Sequence, residues 1–443
     1  MDFISNQEPQ IKEMLKEIGI QSIDELFCDI PDNLKLPRPE KDDGISEYEG
    51  IRHMETLAAE NTFPYYESYL GAGAYEHHIP AIVSAITSKS EFLTTYTPYQ
   101  AESSQGMLQS IFEFQSAICA LTGMDVANAS LYDAASACAE ALLMALRINK
   151  KRNKVLVAKS LHPHYRYVIR QYLESFKTEI ELVSFAENGQ ITDLQIDEET
   201  AAILVQSPNL FGVMEEVKSI SEKAKAVGAL TILCANPISY GLYASAADQG
   251  ADIAIGDCQP LGLPLNYGGP YAGYMGCRQE LVRQLPGRVV GETQDQEGKR
   301  GFVLTLQARE QHIRREKATS NICTNQALAA LASLVAMLWY GKEGIRKLAL
   351  TNYQRTAYLK SLLEKLPGVK SWGNVPHFNE FVVQFDQPID DVVHRLREQG
   401  IYPGVRLDRW YPELENSLLI AVTETKSKEQ LDRFAEVVAK VEG

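Results

Sequence analysis

Between residues 155 and 277 the chain carries a series of short apolar runs, each rich in branched side chains. They are VLVAKS (155–160), IELVSF (180–185), AAILVQSP (201–208), LTILCAN (230–236), ADIAIG (251–256) and YAGYMGC (271–277). Most are continuously apolar rather than alternating, so they need cover on two faces. Helical segments such as VKSISEKAKAVG (217–228) separate several of them. Strands of this kind joined through helices predict an α/β domain with a mostly parallel sheet. Ligands of such sheets bind beyond the carboxyl ends of the strands, and turn-rich loops follow most of those ends here.

The flanking segments have other patterns. Residues 1–35 predict two short helices, the first from Ile11, Met14, Leu15 and Ile18 at helical spacing and the second, 23–27, capped by Ser22. The loop PDNLKLPRPEKDDG (31–44) follows as a connector. Met107, Ile111, Phe114, Ile118 and Leu121 form one apolar stripe of a long helix over 107–121. A second long helical stretch covers 324–365. Beyond it, EFVVQF (380–385), DDVVHRLREQG (390–400), SLLIAVTE (417–424) and SKEQLDRFAEVVAKV (427–441) alternate as strand, helix, strand, helix, a small α+β unit. The expected organisation is a helical arm and connector (1–60), a large domain (61–325), linking helices (326–365) and a small C-terminal domain (366–443).

Composition excludes several classes of function. Acidic residues outnumber basic ones, 58 to 43, for a net charge of −15. That balance argues against nucleic acid and against an anionic membrane surface as partners. No apolar run reaches the roughly 20 residues that span a bilayer, and the polar, acidic N-terminus does not resemble a secretory signal. The seven cysteines include no C-x-x-C pair, which points to free thiols in a reducing cytoplasm.

No P-loop, zinc-protease helix or nucleophile elbow is present. His77 and His78 are sequential, so their side chains diverge on a regular element, and no metal is expected. Gly71 and Gly73 read as backbone-shape residues. The run EFLTTYTPYQAESSQG (91–106) packs Tyr96, Tyr99, Gln100, Glu102 and Ser103 just before the long helix. Such density of polar and aromatic groups suits a ligand site or an interface, and a surface loop with a helix cap remains the plain alternative. In NASLYDAASACAEA (128–141) small residues open a helix whose N-terminus would suit a phosphate, yet Asp133 lies at that end as an ordinary cap.

The order of YTPYQAESSQG, SLYDAASACAEA, QPLGLPLNYGGPYAG and REQHIRREKATSNICTNQA is more specific. These runs resemble the glycine decarboxylase P-protein of the glycine cleavage system, and most closely the N-terminal, or α, subunit of its two-chain bacterial form. The resemblance covers nearly the whole chain. It implies the type I fold of pyridoxal-phosphate (PLP)-dependent transferases, aspartate aminotransferase-like, and a role in glycine decarboxylation with transfer of the aminomethyl group to the lipoyl arm of H-protein.

A PLP enzyme of this fold needs a Schiff-base lysine, a strand-end carboxylate for the pyridinium, a stacking ring and a phosphate site. The family's cofactor-bearing subunit has its lysine in a His-Lys-Thr run. Aligned on the shared glycines and proline, that run meets Cys258-Gln259-Pro260, with Gln259 in place of the lysine. Its carboxylate pattern meets Leu233-Cys234-Ala235-Asn236, again without the acid, whereas His162 stands where a stacking ring would. The resemblance therefore implies a subunit without its own Schiff-base lysine. PLP is expected on a second, β subunit, in a heterodimer that doubles to a heterotetramer. Tyr96, Tyr99, Gln100, Glu102, Ser103, His162, Asn321 and Thr324 are the candidate active-site wall or interface. Arg314, Arg315 and Lys317 are candidate anion contacts, or a solvated face pairing with Glu310 and Glu316. Two alternatives stay open: a self-sufficient homodimeric PLP lyase or aminotransferase using a lysine such as Lys159 or Lys317, and a purely structural or regulatory chain.

Overall fold

The apolar runs become strands of one seven-stranded sheet in the computed structural model, which describes residues 6–36, 44–61, 66–318, 320–322, 324–371 and 375–442. The chain separates into two units, residues 1–63 and 64–443. The first holds α1 (Glu8–Ile18), a 3-10 turn at Ile23–Phe27 and α2 (Glu47–Ala58). Glu25 accepts the Ser22 N–H at 3.1 Å, and Ser46 and Glu49 cap α2 reciprocally. The sequence reading names no helix between its connector loop (31–44) and residue 60, and the structure places the capped helix α2 there.

The second unit contains the sheets. After the short β1 (Glu67–Ser68) and β2 (Val126–Ala127) come β3 (Lys154–Ala158), β4 (Glu179–Val183), β5 (Thr200–Gln206), β6 (Leu230–Cys234), β7 (Ile253–Asp257) and β8 (Gly273–Cys277). The order is β2-β8-β7-β6-β5-β3-β4. Neighbours from β4 to β7 are parallel, whereas β8 pairs antiparallel with both β7 and β2. Alternate residues of each strand serve opposite faces. Val155, Val157, Leu204 and Ile255 pack under α6 (Ala134–Ile148) and α7 (Pro163–Leu173), while Leu156, Ile203, Val205 and Leu233 pack with Val217, Ile220 and Ala224 of α8 (Val217–Ala226). This double cover explains the continuous apolar runs of the central strands, whereas β4, at the sheet edge, keeps Glu179, Glu181 and Leu182 exposed. This strand order and these directions agree with the type I fold that the resemblance implies.

A third layer is helical. It comprises α3 (Ala81–Thr87), α4 (Ser90–Leu93), α5 (Gln105–Thr122) and α10 (Ala327–Leu363), which follows the single turn α9 (Gln311–Arg314). Within α5, Met107, Ile111, Phe114 and Ile118 are buried, as their spacing predicts, and Leu121 is half-buried. Helix α10 is long and apolar enough to cross a membrane by length and composition. Instead Ala330, Leu331, Leu334 and Met337 pack against Phe114, Ile118 and Val83, and the backbone breaks at Gly341 (φ 57°).

The sequence shows little sign of the hairpin β9 (Val289–Gln294) and β10 (Arg300–Thr305). Two glutamines of α5 fasten it. Gln115 exchanges hydrogen bonds with both backbone groups of Val290 at 2.9 and 3.0 Å, and Gln105 does the same with Phe302 at 2.8 Å.

The C-terminal sheet has the order β11-β12-β15-β14, from β11 (Val369–Ser371), β12 (Glu380–Phe385), β15 (Ser417–Ala421) and β14 (Val405–Arg406). Helices α11 (Ile389–Glu398) and α12 (Lys428–Glu442) cover it, and β13 (Ile401–Tyr402) pairs in parallel with β1. Gly212, after β5, is a point of close approach between the two sheets. Its φ is +78°, and a Cβ there would lie 2.0 Å from the Glu380 carbonyl oxygen. Gly212→Ala combines a disfavoured backbone with a clash against a strand. A stability loss of about 3 kcal/mol or more is expected, measurable as a lowered thermal midpoint.

Candidate functional site

The loops beyond β5, β6 and β7 converge where this fold places its ligand, and the chain's own side chains occupy the space. Gln259 follows β7 by two residues and is 1% exposed. Its Oε1 accepts the Tyr75 N–H at 2.9 Å, and its Nε2 donates to the carbonyls of Tyr75 at 2.8 Å and Leu263 at 3.1 Å. The amide uses its acceptor and both donors, and it fastens the 71–75 loop across the cleft.

Helix α6 points its N-terminus into the same place, with two carboxylates on it. Asp133 accepts the Ser136 N–H at 2.7 Å, the capping role its position predicts. Asp257, at the end of β7, accepts the Ala134 N–H at 3.2 Å and the Gln259 N–H at 2.8 Å. The favourable potential of the helix end is taken by the protein's own acids, which would repel a phosphate. Burial pushes the Asp257 carboxyl up to about 7, with the Asp133 charge adding to the shift.

A second buried acid closes the other side. Glu380 of β12 accepts the Tyr75 O–H at 2.6 Å and the Ala72 N–H at 2.7 Å. Burial raises its carboxyl to about 7. Gly71 is required beside it, since a Cβ there would lie 2.3 Å from Glu380 Oε1. His162 is buried at the N-cap of α7. Its Nδ1 accepts the His164 N–H at 3.1 Å, its Nε2 lies 2.8 Å from the Ala72 carbonyl, and its ring stacks on Tyr165 at 4.6 Å. Burial lowers its pKa to about 4, so the ring is neutral. Tyr165, rather than His162, lines the remaining space.

That space is a cavity of about 30 Å³ bordered by Tyr75, Ala134, Tyr165, Asp257 and Glu380. It has room for about one water, whereas ligand pockets run to several hundred Å³. No lysine lines it. Lys159 pairs with Glu413 at 3.1 Å and lines another groove, and Lys317 is exposed on a 3-10 turn. Leu233 lies in the core under α8. The residues present do not fit PLP: the imine-forming amine is missing, the phosphate end is occupied by acids and the volume is filled.

The other candidates lie on the surface. Tyr96, Tyr99, Gln100, Glu102 and Ser103 are all exposed, Tyr96 at 77%. Arg288, at 2% exposure, donates to the Tyr99 hydroxyl at 3.2 Å. His312 meets the Tyr99 ring edge-on at 5.7 Å. The structure thus joins the 96–103 loop to the 306–317 segment. Asn321 has different neighbours, lining a groove of about 890 Å³ with Glu140, Arg147 and Tyr172. Thr324 is half-buried beside Asn325, whose amide donates to Ser130 Oγ at 3.0 Å. Arg314, Arg315 and Lys317 are exposed, and among the described residues no ion pair joins them to Glu310 or Glu316. Instead Arg314 Nε donates to the Ala308 carbonyl at 3.1 Å. His77 is held by Glu424 at 2.8 Å. Among the described residues no cluster of three or more His, Cys, Asp or Glu could hold a metal.

The family model of the glycine cleavage system P-protein matches residues 1–438. The chain belongs to the P-protein family. It is 66% identical over 441 residues, 99% of each chain, to a protein of Protochlamydia amoebophila described as "Probable glycine dehydrogenase (decarboxylating) subunit 1". A Nitrosomonas europaea protein with the same description is 48% identical, covering 99% of this chain and 98% of its own. The crystal structure of a glycine decarboxylase (P-protein) of the glycine cleavage system, in inhibitor-bound form, superposes with a TM-score of 0.91 at 40% identity over the whole of both chains. A sphingosine-1-phosphate lyase from Burkholderia pseudomallei, at 14% identity over 92% of each chain and a TM-score of 0.67, shares the fold.

Sequence reasoning singled out Gln259 and Asp133, and both lie at the cleft. Leu233, its place for the missing acid, packs on the α8 face, and Cys234, Ala235 and Asn236 border the cavity instead. Sequence reasoning missed Asp257, Glu380, Tyr75 and Arg288, whose partners are distant in sequence. Two outcomes follow for this P-protein chain. Gln259→Lys alone is not expected to create a cofactor site, so borohydride reduction with added PLP should leave the introduced amine unlabelled. Stoichiometric labelling at that position would contradict the filled cleft. Glu380 titrates from its ordinary 4.5 when unfolded to about 7 when folded. Its protonated form favours folding, so that contribution is complete below about pH 4 and lost as pH rises through about 7. Glu380→Gln should reduce the fall in stability between about pH 5 and 8 by on the order of 1–3 kcal/mol, seen as a flatter pH dependence of the thermal midpoint.

Proposed function

We propose that this chain is the cofactor-free subunit of glycine dehydrogenase (aminomethyl-transferring), EC 1.4.4.2, and works in a heterodimer with a PLP-bearing second subunit. The observation that carries the reading is Gln259 locked to the 71–75 loop in a cleft of about 30 Å³, in a chain that matches P-proteins end to end. A P-protein chain without an imine-forming group at this position depends on another chain for its cofactor. PLP held by that partner supplies the electron sink for decarboxylation of glycine. Lipoylated H-protein takes up the aminomethyl group. The heterodimer doubles to a heterotetramer and works in the cytoplasm.

This chain's own part is structural and local. The exposed polar and aromatic residues Tyr96, Tyr99, Gln100, Glu102 and Ser103 form a wall of the partner's cleft, and Asn321, in a separate groove, and Thr324 belong to the interface. Arg314, Arg315 and Lys317 present cations to an anion or an acidic partner surface. Their exposure and lack of ion pairs with Glu310 or Glu316 among the described residues support this reading. His162 belongs instead to the sealed cleft, where its Nε2 lies 2.8 Å from the Ala72 carbonyl. The organisation we assign to the chain is a helical arm over 1–60, a large domain over 61–325, linking helices over 326–365 and a small domain over 366–443.

Two measurements test the proposal. Incubating the two-subunit complex with PLP and reducing it with borohydride should label a lysine of the partner alone; stoichiometric label on this chain restores the homodimeric reading. Tyr96→Phe and Glu102→Gln should each lower turnover by about tenfold, ~1.4 kcal/mol in the barrier, with the complex intact by size-exclusion chromatography. Unchanged turnover in both removes the loop from the cleft.

A further inference from the structure

We propose that His312 delivers a proton in the partner's cleft, with Glu310, Arg288 and Tyr99 as the residues that position its ring. The proposal rests on the reading of the 96–103 loop as a wall of that cleft. Four groups from three segments of the chain meet here. Arg288, just before β9, lies under the loop with its guanidinium 5.3 Å from the centre of the Tyr99 ring. Its Nε is 3.7 Å from Glu310 Oε2. The same carboxylate oxygen is 3.5 Å from His312 Nδ1.

Burial differs sharply across the cluster. The side chains of Arg288 and Glu310 are 2% and 4% exposed, while His312 is 31% exposed. The carboxylate thus faces Nδ1 from inside, and Tyr99 flanks the ring at 65°. With Nδ1 held inward, Nε2 is the nitrogen left for exchange with a bound group. A carboxylate behind a partly exposed imidazole is an arrangement that orients the ring and steadies its charged form during proton transfer. Arg309 also faces Glu310, but its guanidinium donates to the carbonyls of Leu285 and Gly287.

The inner pair is poorly built for stability. Arg288 Nε and Glu310 Oε1 are buried without a hydrogen-bond partner among the described residues. Removing two charges from water is costly, and unmade hydrogen bonds increase that cost. Holding Tyr99 and His312 in place at the surface gives the pair a purpose that folding does not.

The transfer to H-protein contains a step that needs such a group. The electron pair that loss of CO₂ leaves on the aminomethyl carbon would form the bond to one sulfur of the lipoyl dithiolane as the S–S bond breaks, and the amine would be freed when the partner's lysine takes back the cofactor aldehyde. The electron pair of the S–S bond stays on the second sulfur, and that thiolate takes a proton. Imidazolium supplies it and is reprotonated from solvent.

The test uses the two-subunit complex with lipoylated H-protein. His312→Gln and His312→Ala should assemble with the partner and bind glycine as the parent does, read from the cofactor absorbance. Transfer to the lipoyl group should fall by about 100-fold, and added imidazole should restore part of it in His312→Ala. Parent-level transfer in both variants overturns the proposal. So does a loss that imidazole leaves unchanged, or a failure of both variants to assemble, since either assigns His312 to packing. If Tyr96→Phe and Glu102→Gln slow turnover while the His312 variants do not, only this inference fails. If none of the four affects turnover, the wall reading fails with it.

Discussion

One neutral amide holds the central region of this chain closed. Gln259 binds both backbone groups of Tyr75 and the Leu263 carbonyl, and Tyr75 in turn donates to Glu380 on the C-terminal sheet. The strand-end loop, the 71–75 strap and the second sheet are thereby joined in series. A lysine at this position could not do this: it has donors and no acceptor, so the Tyr75 N–H would be left buried and unpaired. Loss of the imine-forming amine and gain of the strap are the same chemical change.

The rest of the cleft follows from that closure. At the N-terminus of α6, Asp133 and Asp257 satisfy the N–H groups of Ser136 and Ala134. His162 stacks on Tyr165 and turns its nitrogens to Ala72 and His164. Each group that would serve a cofactor finds an intramolecular partner instead, as buried polar groups must. Asp257 and Glu380 are raised toward neutral pH by burial, and both are acids a water-filled or cation-bearing cleft would leave ionised.

The sequence announced the large sheet because double burial makes continuous apolar runs, and those runs are visible without neighbours. It announced α5 by its stripe and Asp133 by its place before small helical residues. The β9–β10 hairpin was hidden because its strands are polar at one end. It depends on Gln105 and Gln115, which reach it from 197 and 175 residues away in the chain. Of the cleft, Gln259 was legible through the glycines and proline around it. Asp257, Glu380 and Arg288 were not: each gains its role from a contact more than 100 residues away, and one sequence carries no sign of such pairing.

The two polar clusters of this chain are built to opposite ends. Around Gln259, the amide has its acceptor and donors engaged and the space is closed, so the region behaves as core. Around Arg288, a buried charge pair keeps unmade hydrogen bonds among the described residues and carries exposed aromatic and imidazole groups above it. A chain that had lost its cofactor and served only as a scaffold would gain stability by replacing that pair with apolar side chains, since buried ion pairs often cost more than they return. Keeping the half-satisfied pair beside a sealed cleft is what a subunit would do if its chemistry had moved from its own sheet ends to the surface it offers a partner.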